Sequence, residues 1–466
     1  MSEFEHVPPR IEPYLQTTAP NEQVVLVPGP FELVGTTSGT LDADLVFEWV
    51  PSTQVAFDGT CSATPFDIDD DWVLESQDPP FKVPVLISSA TLTTTPVPVR
   101  GIANKPVTYG CDSFEKLRFC LVNFPDYLGE PVRYQTADGE GVMRGRLTVS
   151  CDLGECRIDE IREAKDVLKL ARREGGFVIS HVGEWLPSSG TLTSSAAEAV
   201  LEMLRVWLCL VSASWSVPVF PQGVVDGSAV WWKHASWRLG DGSCVATWMP
   251  QRTPLNLTDA FDGFARRWND SAWQRPLRSA VSWLVEANAP GRAIESRVIL
   301  PQVALELLAW VFVVETEQLQ SRSDFKRISA AGKIRSLLQS LDIPTAIPGY
   351  MTHLPQLTDS DAFDGPGVVT RVRNALVHAG EDNRKTIASM DSKMWYECSQ
   401  LALQYVELSL LAICGHSGHY ARRGGKWWKG DDEVQVPWVP NKAFEQTSRR
   451  REVPSVRDGR SSTPGR

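Results

Sequence analysis

Val368-Val-Thr-Arg-Val-Arg-Asn-Ala-Leu-Val-His-Ala-Gly380 is the stretch around which the chain is organised. Pro366 stands just before it, where a missing backbone donor costs a helix nothing, and Gly380 stands just beyond the last expected turn. Val368, Val369, Val372 and Leu376 recur at helical spacing, so the stretch predicts one helix that stops just after His378. Arg373, Asn374 and His378 are the polar residues left over. A structural reading makes His378 a helix C-terminal residue favoured by the macrodipole, beside a surface arginine. A chemical reading needs Arg373 and His378 to act together. Five positions apart, they lie about 140° around an ideal helix, so a shared face requires the helix to fray at its end.

Outward from this stretch the pattern is purely helical. Ile299-Leu-Pro-Gln-Val-Ala-Leu-Glu-Leu-Leu-Ala-Trp-Val-Phe-Val-Val314 is a long apolar helix carrying one acid, Glu306. Lys333-Ile-Arg-Ser-Leu-Leu-Gln-Ser-Leu341 is a second, stopped by Asp342-Ile-Pro344, and Asp391 to Cys414 is a further one that ends at Gly415. Short loops between such helices predict a bundle. An acid among Leu and Trp must be paired or desolvated at a cost, so Glu306 either orients Arg373 or His378 or fixes the bundle's register by a salt bridge.

The arrangement resembles the HEPN domain, a helical family that includes metal-independent ribonucleases. The resemblance rests on Arg373-Asn-x-Leu-Val-His378, on the Leu-Glu-Leu-Leu core of the first helix, on Lys-Ile-Arg-Ser-Leu-Leu ending in Ile-Pro, and on a closing Gly-x-x-Gly-x-Tyr turn, Gly415 to Tyr420. It implies a metal-independent endoribonuclease of phage defence or toxin-like growth arrest. His378 would act as general base or acid and Arg373 would stabilise the phosphorane, with Asn374 positioning the site and Glu306 behind it. The implied partners are RNA, gripped at a local site only, and a second copy of the chain, because two such motifs usually face each other and only one is present at full strength. A phage-derived trigger is implied as well. The chemistry suits the residue types: histidine exchanges protons near neutral pH, and arginine stays charged and can fork onto two phosphate oxygens. The alternative is a non-catalytic HEPN module that dimerises and binds a ligand or partner.

The upstream part is β-rich. Leu41-Asp-Ala-Asp-Leu-Val-Phe-Glu-Trp-Val50, Phe81-Lys-Val-Pro-Val-Leu-Ile87, Lys116-Leu-Arg-Phe-Cys-Leu-Val-Asn-Phe124 and Met143-Arg-Gly-Arg-Leu-Thr-Val-Ser150 are strand-like runs broken by Gly, Pro and Asp, as in a sandwich or barrel-like module. This region loosely resembles the N-terminal domain of ApeA-type anti-phage proteins. Between it and the bundle, helices are expected over 159–173, from a Ser195-Ala-Ala-Glu198 capping box, over 256–268 and over 273–287, with strands at 176–182, 229–232 and 244–248. Ten of the chain's 17 tryptophans lie between Trp185 and Trp283. Aromatics at such spacing are read as core, with base stacking as the functional alternative.

The expected fold is therefore α+β and multidomain. It comprises a flexible arm (1–22), a β-sandwich-like module (23–158), a mixed α/β Trp-rich region (159–291), a HEPN helical bundle (292–423) and a largely disordered basic tail (424–466) in which residues 447–466 hold six arginines against two acids. At 466 residues, two or three domains are expected. The composition, 42% hydrophobic and 22% charged, is that of a globular protein. No apolar run reaches the roughly 18 uninterrupted residues of a membrane span, and the polar start lacks the pattern of a secretory signal, so a cytoplasmic protein without membrane contact is expected. Nine scattered cysteines point to reduced thiols, and Cys151-x4-Cys156 lacks a second ligand pair. Cys414, His416 and His419 crowd one turn and are read as structural. The absence of Walker and dinucleotide fingerprints, and of metal-ligand clusters, leaves no cofactor expected. The net charge of −11 excludes a generally cationic nucleic-acid binder.

Overall fold

A computed structural model describes residues 6–136, 139–242, 245–252, 257–357, 364–424 and 432–440. It is an α+β chain with a β-barrel at its N-terminal end and helices at its C-terminal end. The first eight strands are β1 (Val24–Val27), β2 (Phe31–Val34), β3 (Ser38–Asp42), β4 (Leu45–Glu48), β5 (Gln54–Cys61), β6 (Val73–Gln77), β7 (Pro80–Ala90) and β8 (Val97–Ala103). They run in the order β1-β4-β5-β3-β2-β6-β7-β8, and β8 pairs back onto β5. That pairing closes a barrel, so of the sandwich-like and barrel-like forms open to the strand runs the chain takes the barrel. Alternating short strands serve either form, and only the long-range register Ala56↔Ile102 to Cys61↔Val97 decides between them. Gly101 permits the closure, since a Cβ there would fall 2.4 Å from Phe57 Cζ.

The second sheet crosses the boundary drawn at residue 158. Its strands are β9 (Val107–Gly110), β11 (Lys116–Val122), β12 (Glu130–Thr136), β13 (Gly139–Cys151), β14 (Gly154–Glu160), β15 (Ile179–Pro187), β17 (Val219–Val225) and β18 (Ser228–His234); the short β10 (Ser113–Phe114) and β16 (Leu192–Thr193) pair with each other beside it. The order is β12-β13-β14-β15-β11-β17-β18-β9, with β14 and β15 joined from Gly154↔Pro187 to Glu160↔His181. The break between the two β units thus falls near residue 105. Turn signals mark where strands end, not which sheet each strand joins.

Both faces of this second sheet are buried. On β11, Leu117, Phe119 and Leu121 enter one hydrophobic core, while Cys120 and Val122 enter the other. Trp231 and Trp232 divide in the same way on β18. A period of two sends successive side chains to opposite faces, so the sheet is a wall shared by the barrel-side core and the helical core. None of the ten tryptophans from Trp185 to Trp283 is exposed. They are core and flank, not an open stacking platform.

The N-terminal segment is docked rather than loose from residue 6 onward. Pro9 bridges Arg133, and the Arg10 amide donates to the Arg133 carbonyl at 2.8 Å. The Ile11 amide donates to Asp159 Oδ2 at 2.7 Å, and Asp159 also receives two 2.7 Å bonds from buried Arg146. Arg146 Nη2 donates to the Pro9 carbonyl as well. The segment's backbone completes a buried ion pair, which its polar, Pro-rich sequence does not reveal.

The helices are α1 (Lys165–Glu174), α2 (Ser194–Ser212), α3 (Leu257–Asn269), α4 (Ser271–Asn288), α5 (Ser296–Ala309), α6 (Arg322–Arg327), α7 (Ala330–Ser340), α8 (Gly365–Val377), α9 (Glu381–Ser389) and α10 (Ser392–Ile413). Thr193, not Ser195, caps α2, accepting from the Ala196 amide. Residues 245–252 form no strand. A π-helical stretch, Trp310–Thr316, prolongs α5. The combined run Ser296–Thr316 is long and apolar enough to cross a membrane, yet most of it is buried within the chain. It packs against α4, α7, α8 and α10, which places α4 inside a helical layer expected to begin only at 292. The described part of the tail is ordered too: β20 (Glu433–Gln435) pairs β19 (His419–Ala421), and Trp438 Nε1 donates to the His416 carbonyl. The arginines of 447–466 lie outside the described residues.

One buried cation ties these layers together. Arg423 forks onto Glu407 of α10 at 2.6 and 2.7 Å, each side chain 1% exposed. It also donates to Asn288 at the end of α4, to Gln400, and to the Ala246 carbonyl of the loop after the second sheet. Removing one partner strands a buried charge, whereas removing both does not. Glu407→Leu alone is expected to cost about 3–5 kcal/mol in urea unfolding, and pairing it with Arg423→Met to restore most of that. An unchanged midpoint in the single variant refutes the role assigned to the pair.

Candidate active site

Helix α8 is clamped at its N-terminal end. Asp364 caps it, accepting from the Gly367 amide at 3.0 Å and from Arg335 of α7 through two 2.7 Å bonds. Burial opposes the Asp364 charge, but the bonds from Arg335 and the helix amide outweigh it and hold the carboxyl below its ordinary value. Gly365 lets the helix approach α10 closely, because a Cβ there would lie 2.0 Å from Tyr405 Oη.

At the other end the helix opens. The His378 amide makes the last helical bond, to the Asn374 carbonyl at 3.0 Å, and His378 itself is extended, with φ −121 and ψ 121. The chain therefore leaves the helix at the histidine, which frees its ring direction from the 140° constraint. Gly380 does not supply this exit by a left-handed conformation; its φ is −59 and it opens α9. The carbonyls just past the helix are met from α9, by Asn383 Nδ2 on the His378 carbonyl at 2.9 Å and by Arg384 on the Ala379 carbonyl.

His378 is exposed and Arg373 half-buried. Arg373 Nη1 donates to Asn374 Oδ1 at 3.2 Å, and its buried Nε has no partner among the described residues. The Nε atoms of Arg10 and Arg297 are in the same position, so the unmet donor leaves Arg373 able to take a phosphate oxygen without by itself marking a site. Glu306 lies elsewhere in the hydrogen-bond pattern. It accepts from Gln302 at 3.0 Å and sits 3.8 Å from Lys333 of α7. Neither Arg373 nor His378 is among its partners among the described residues, so its observed contacts are those of a bundle register pair.

His181, His234, His416 and Cys414 make packing and backbone contacts away from α8. Among the described residues, no three His, Cys, Asp or Glu side chains are grouped to hold a metal. His416 in the crowded turn is buried and bonds the His419 carbonyl through Nε2 at 3.0 Å, with burial pushing its pKa down. Cys414 is buried, and burial raises its thiol pKa to about 12. Buried His181 lies between Phe124 and Tyr127, and buried His234 stacks on Trp232 with ring centroids 4.5 Å apart. Burial lowers both to about 3.

A basic cavity lies beside α1, away from every sequence motif. Lys165, Lys169 and Arg172 share one face of that helix at i, i+4 and i+7, a signal visible in the sequence but indistinguishable there from a solvated face.

Two comparisons follow these boundaries. A family model described as the YopA central domain matches residues 112–243, the region of the second sheet and α2, and one described as the YopA C-terminal domain matches residues 270–433, from α4 to β20. The chain is also similar to the SPbeta prophage-derived uncharacterized protein YopA of Bacillus subtilis (strain 168), with 26% identity over 349 residues that cover 74% of this chain and 76% of the relative. No solved structure matches.

The buried histidines set an acid limit on the fold. Neutral when folded, they take up protons on unfolding, so their stabilisation is complete above the ordinary value of 6.5 and is lost as pH falls from 6.5 toward about 3. Each contributes a slope of about 1.4 kcal/mol per pH unit in that window. His234→Phe keeps the aromatic packing and should flatten the fall of the melting temperature between about pH 6.5 and 4. An unaltered slope would show that His234 is not one of the groups.

Proposed function

We propose that this chain is a cytoplasmic, metal-independent endoribonuclease of HEPN type, acting in anti-phage defence or toxin-like growth arrest. The observation that carries the reading is the open end of α8: an exposed histidine at the helix exit, and one turn back an arginine with an unmet donor steadied by Asn374. His378 takes the proton from a ribose 2′-hydroxyl, whose oxygen attacks the adjacent phosphorus. Arg373 stabilises the negative charge that gathers on the phosphorane, and the 5′-oxygen leaves with a proton drawn from water. The products carry 2′,3′-cyclic phosphate and 5′-hydroxyl ends. Glu306 acts only through the α5–α7 contact that sets the bundle.

One chain supplies one Arg373–His378 motif on an accessible helix end, so the working cleft is a two-fold dimer in which two such ends face the same RNA. The prophage origin named for the Bacillus relative supports a phage setting. The N-terminal two thirds then hold the nuclease idle until a trigger arrives. The rival reading, a non-catalytic HEPN sensor, uses the same bundle to dimerise and to bind a ligand or partner.

Expression of wild type and His378→Ala, with and without phage challenge, separates the two. Wild type should arrest growth and leave RNA with 2′,3′-cyclic phosphate ends, in EDTA as well as without it. His378→Ala should lose roughly 10²- to 10⁴-fold in cleavage while folding normally. RNA left intact by both proteins under both conditions sinks the nuclease and leaves the sensor.

A further inference from the structure

The residues beside α1 line an open cleft of about 500 Å³ with an unusual charge balance. Lys165, Lys169 and Arg172 of α1, Arg144 of β13 and Arg252 of the following loop face it, against only Asp126 and Glu160. In a chain of net charge −11 this is a local excess of three positive charges, five cations less two acids. Some of these cations are engaged: Arg172 forks onto Asp126 at 2.7 and 3.1 Å, Lys165 lies 3.0 Å from Glu160, and Lys169 turns outward to Asp166 at 2.9 Å. The Arg144 and Arg252 guanidinium groups have no ion-pair partner among the described residues, and both are exposed. Asp166 holds Lys169 and the Glu433 carboxylate accepts the Arg252 amide at 2.9 Å, so the uncompensated charge facing the cavity rests on the Arg144 and Arg252 guanidinium groups.

A second cavity, of about 180 Å³, adjoins the first and shares Asp126, Arg172 and Gln251 with it. Apart from the shared Asp126–Arg172 pair, its lining is uncharged. Ser214, Thr247, Gly242 and the face of Trp215 contribute, and Asn123 forms a stiff wall. Asn123 is left-handed at φ 52, donates to the Gly176 and Gly240 carbonyls at 2.9 and 3.1 Å, and accepts from the Val178 amide. Trp215 is half-buried and fixed by its Nε1 bond to Glu286 at 3.0 Å and by Arg238 over its ring.

We propose that these joined cavities form a nucleotide-binding site in the middle of the chain, with the phosphates in the cationic chamber and the base or ribose in the uncharged one beside Trp215. The Arg172–Asp126 pair sits at the junction, where Arg172 can exchange its carboxylate for a phosphate. The volume of the cationic cleft falls within the roughly 300–1,000 Å³ of small-ligand pockets, and the uncharged chamber beside it is the more closed of the two. The site uses no residue of α8. It gives the upstream region a ligand to sense, and it stands whether or not α8 is catalytic.

Calorimetry on the full chain tests this with ATP, GTP, CTP, UTP, inorganic tripolyphosphate and a single-stranded RNA 20-mer as probes. At least one nucleoside triphosphate should bind with micromolar affinity and more tightly than tripolyphosphate. Arg144→Glu alters an exposed, unpaired side chain, so it should weaken that binding by roughly tenfold or more without lowering the melting temperature. Trp215→Ala should weaken the nucleotide more than tripolyphosphate, and Arg327→Ala on α6 should change neither. His378→Ala should bind as wild type does, which separates this site from the nuclease reading. No triphosphate binding at about 1 mM, indifference to Arg144→Glu, equal affinity for tripolyphosphate and all four nucleotides, or tighter binding of the RNA 20-mer would each overturn the proposal.

Discussion

The structure depends on one sheet that is buried on both faces. A strand in such a sheet needs apolar side chains at successive positions, because each face must be covered. β11 meets this from Phe119 to Val122, whose alternate residues feed two separate cores, while Arg118 before them pairs with Glu184. The barrel therefore cannot move without disturbing the wall that the helices pack against. Arg146 and Asp159 lock the N-terminal segment to the edge of that wall, and Arg423 and Glu407 lock the helices to the loop leaving it. Both pairs are buried, and both satisfy backbone carbonyls or amides as well as each other. Buried charge is expensive, so each pair holds only in the assembled arrangement.

Within the helical layer, α8 is rigid at one end and open at the other. Asp364, Arg335 and the close contact of Gly365 with Tyr405 set its position and direction. At His378 the backbone becomes extended and the side chain faces solvent. A site built on a fixed helix with one free terminal side chain can place a proton-transfer group accurately and still admit a large polymer. Arg373 is held between these extremes, half-buried and bonded to Asn374.

Charge is distributed against the average. The chain is acidic overall, yet the cavity beside α1 gathers cations from a helix, a strand and a loop that are far apart in sequence. Lys165, Lys169 and Arg172 alone would be an ordinary solvated helix face. Arg144 and Arg252, arriving from elsewhere, turn that face into a cleft. No single-sequence pattern reports it.

What the sequence by itself determined is local: helix and strand positions, the α+β order, the buried tryptophans, and the polar trio Arg373, Asn374 and His378 on an otherwise apolar helix. Helical and strand periods are written in neighbouring residues, and capping residues such as Asp391 announce ends within one or two positions. Asp364 caps α8 through the nearby Gly367 amide, but its second partner, Arg335, lies 29 residues away and outside any local pattern. Only the tertiary structure decided the barrel's closure, the membership of β13 and β14 in the second sheet, the docking of residues 6–22 and the pairing of Glu306 with Lys333. Each of these is a contact between distant segments, chosen by burial and register across the whole fold, and short-range pattern carries no information about it.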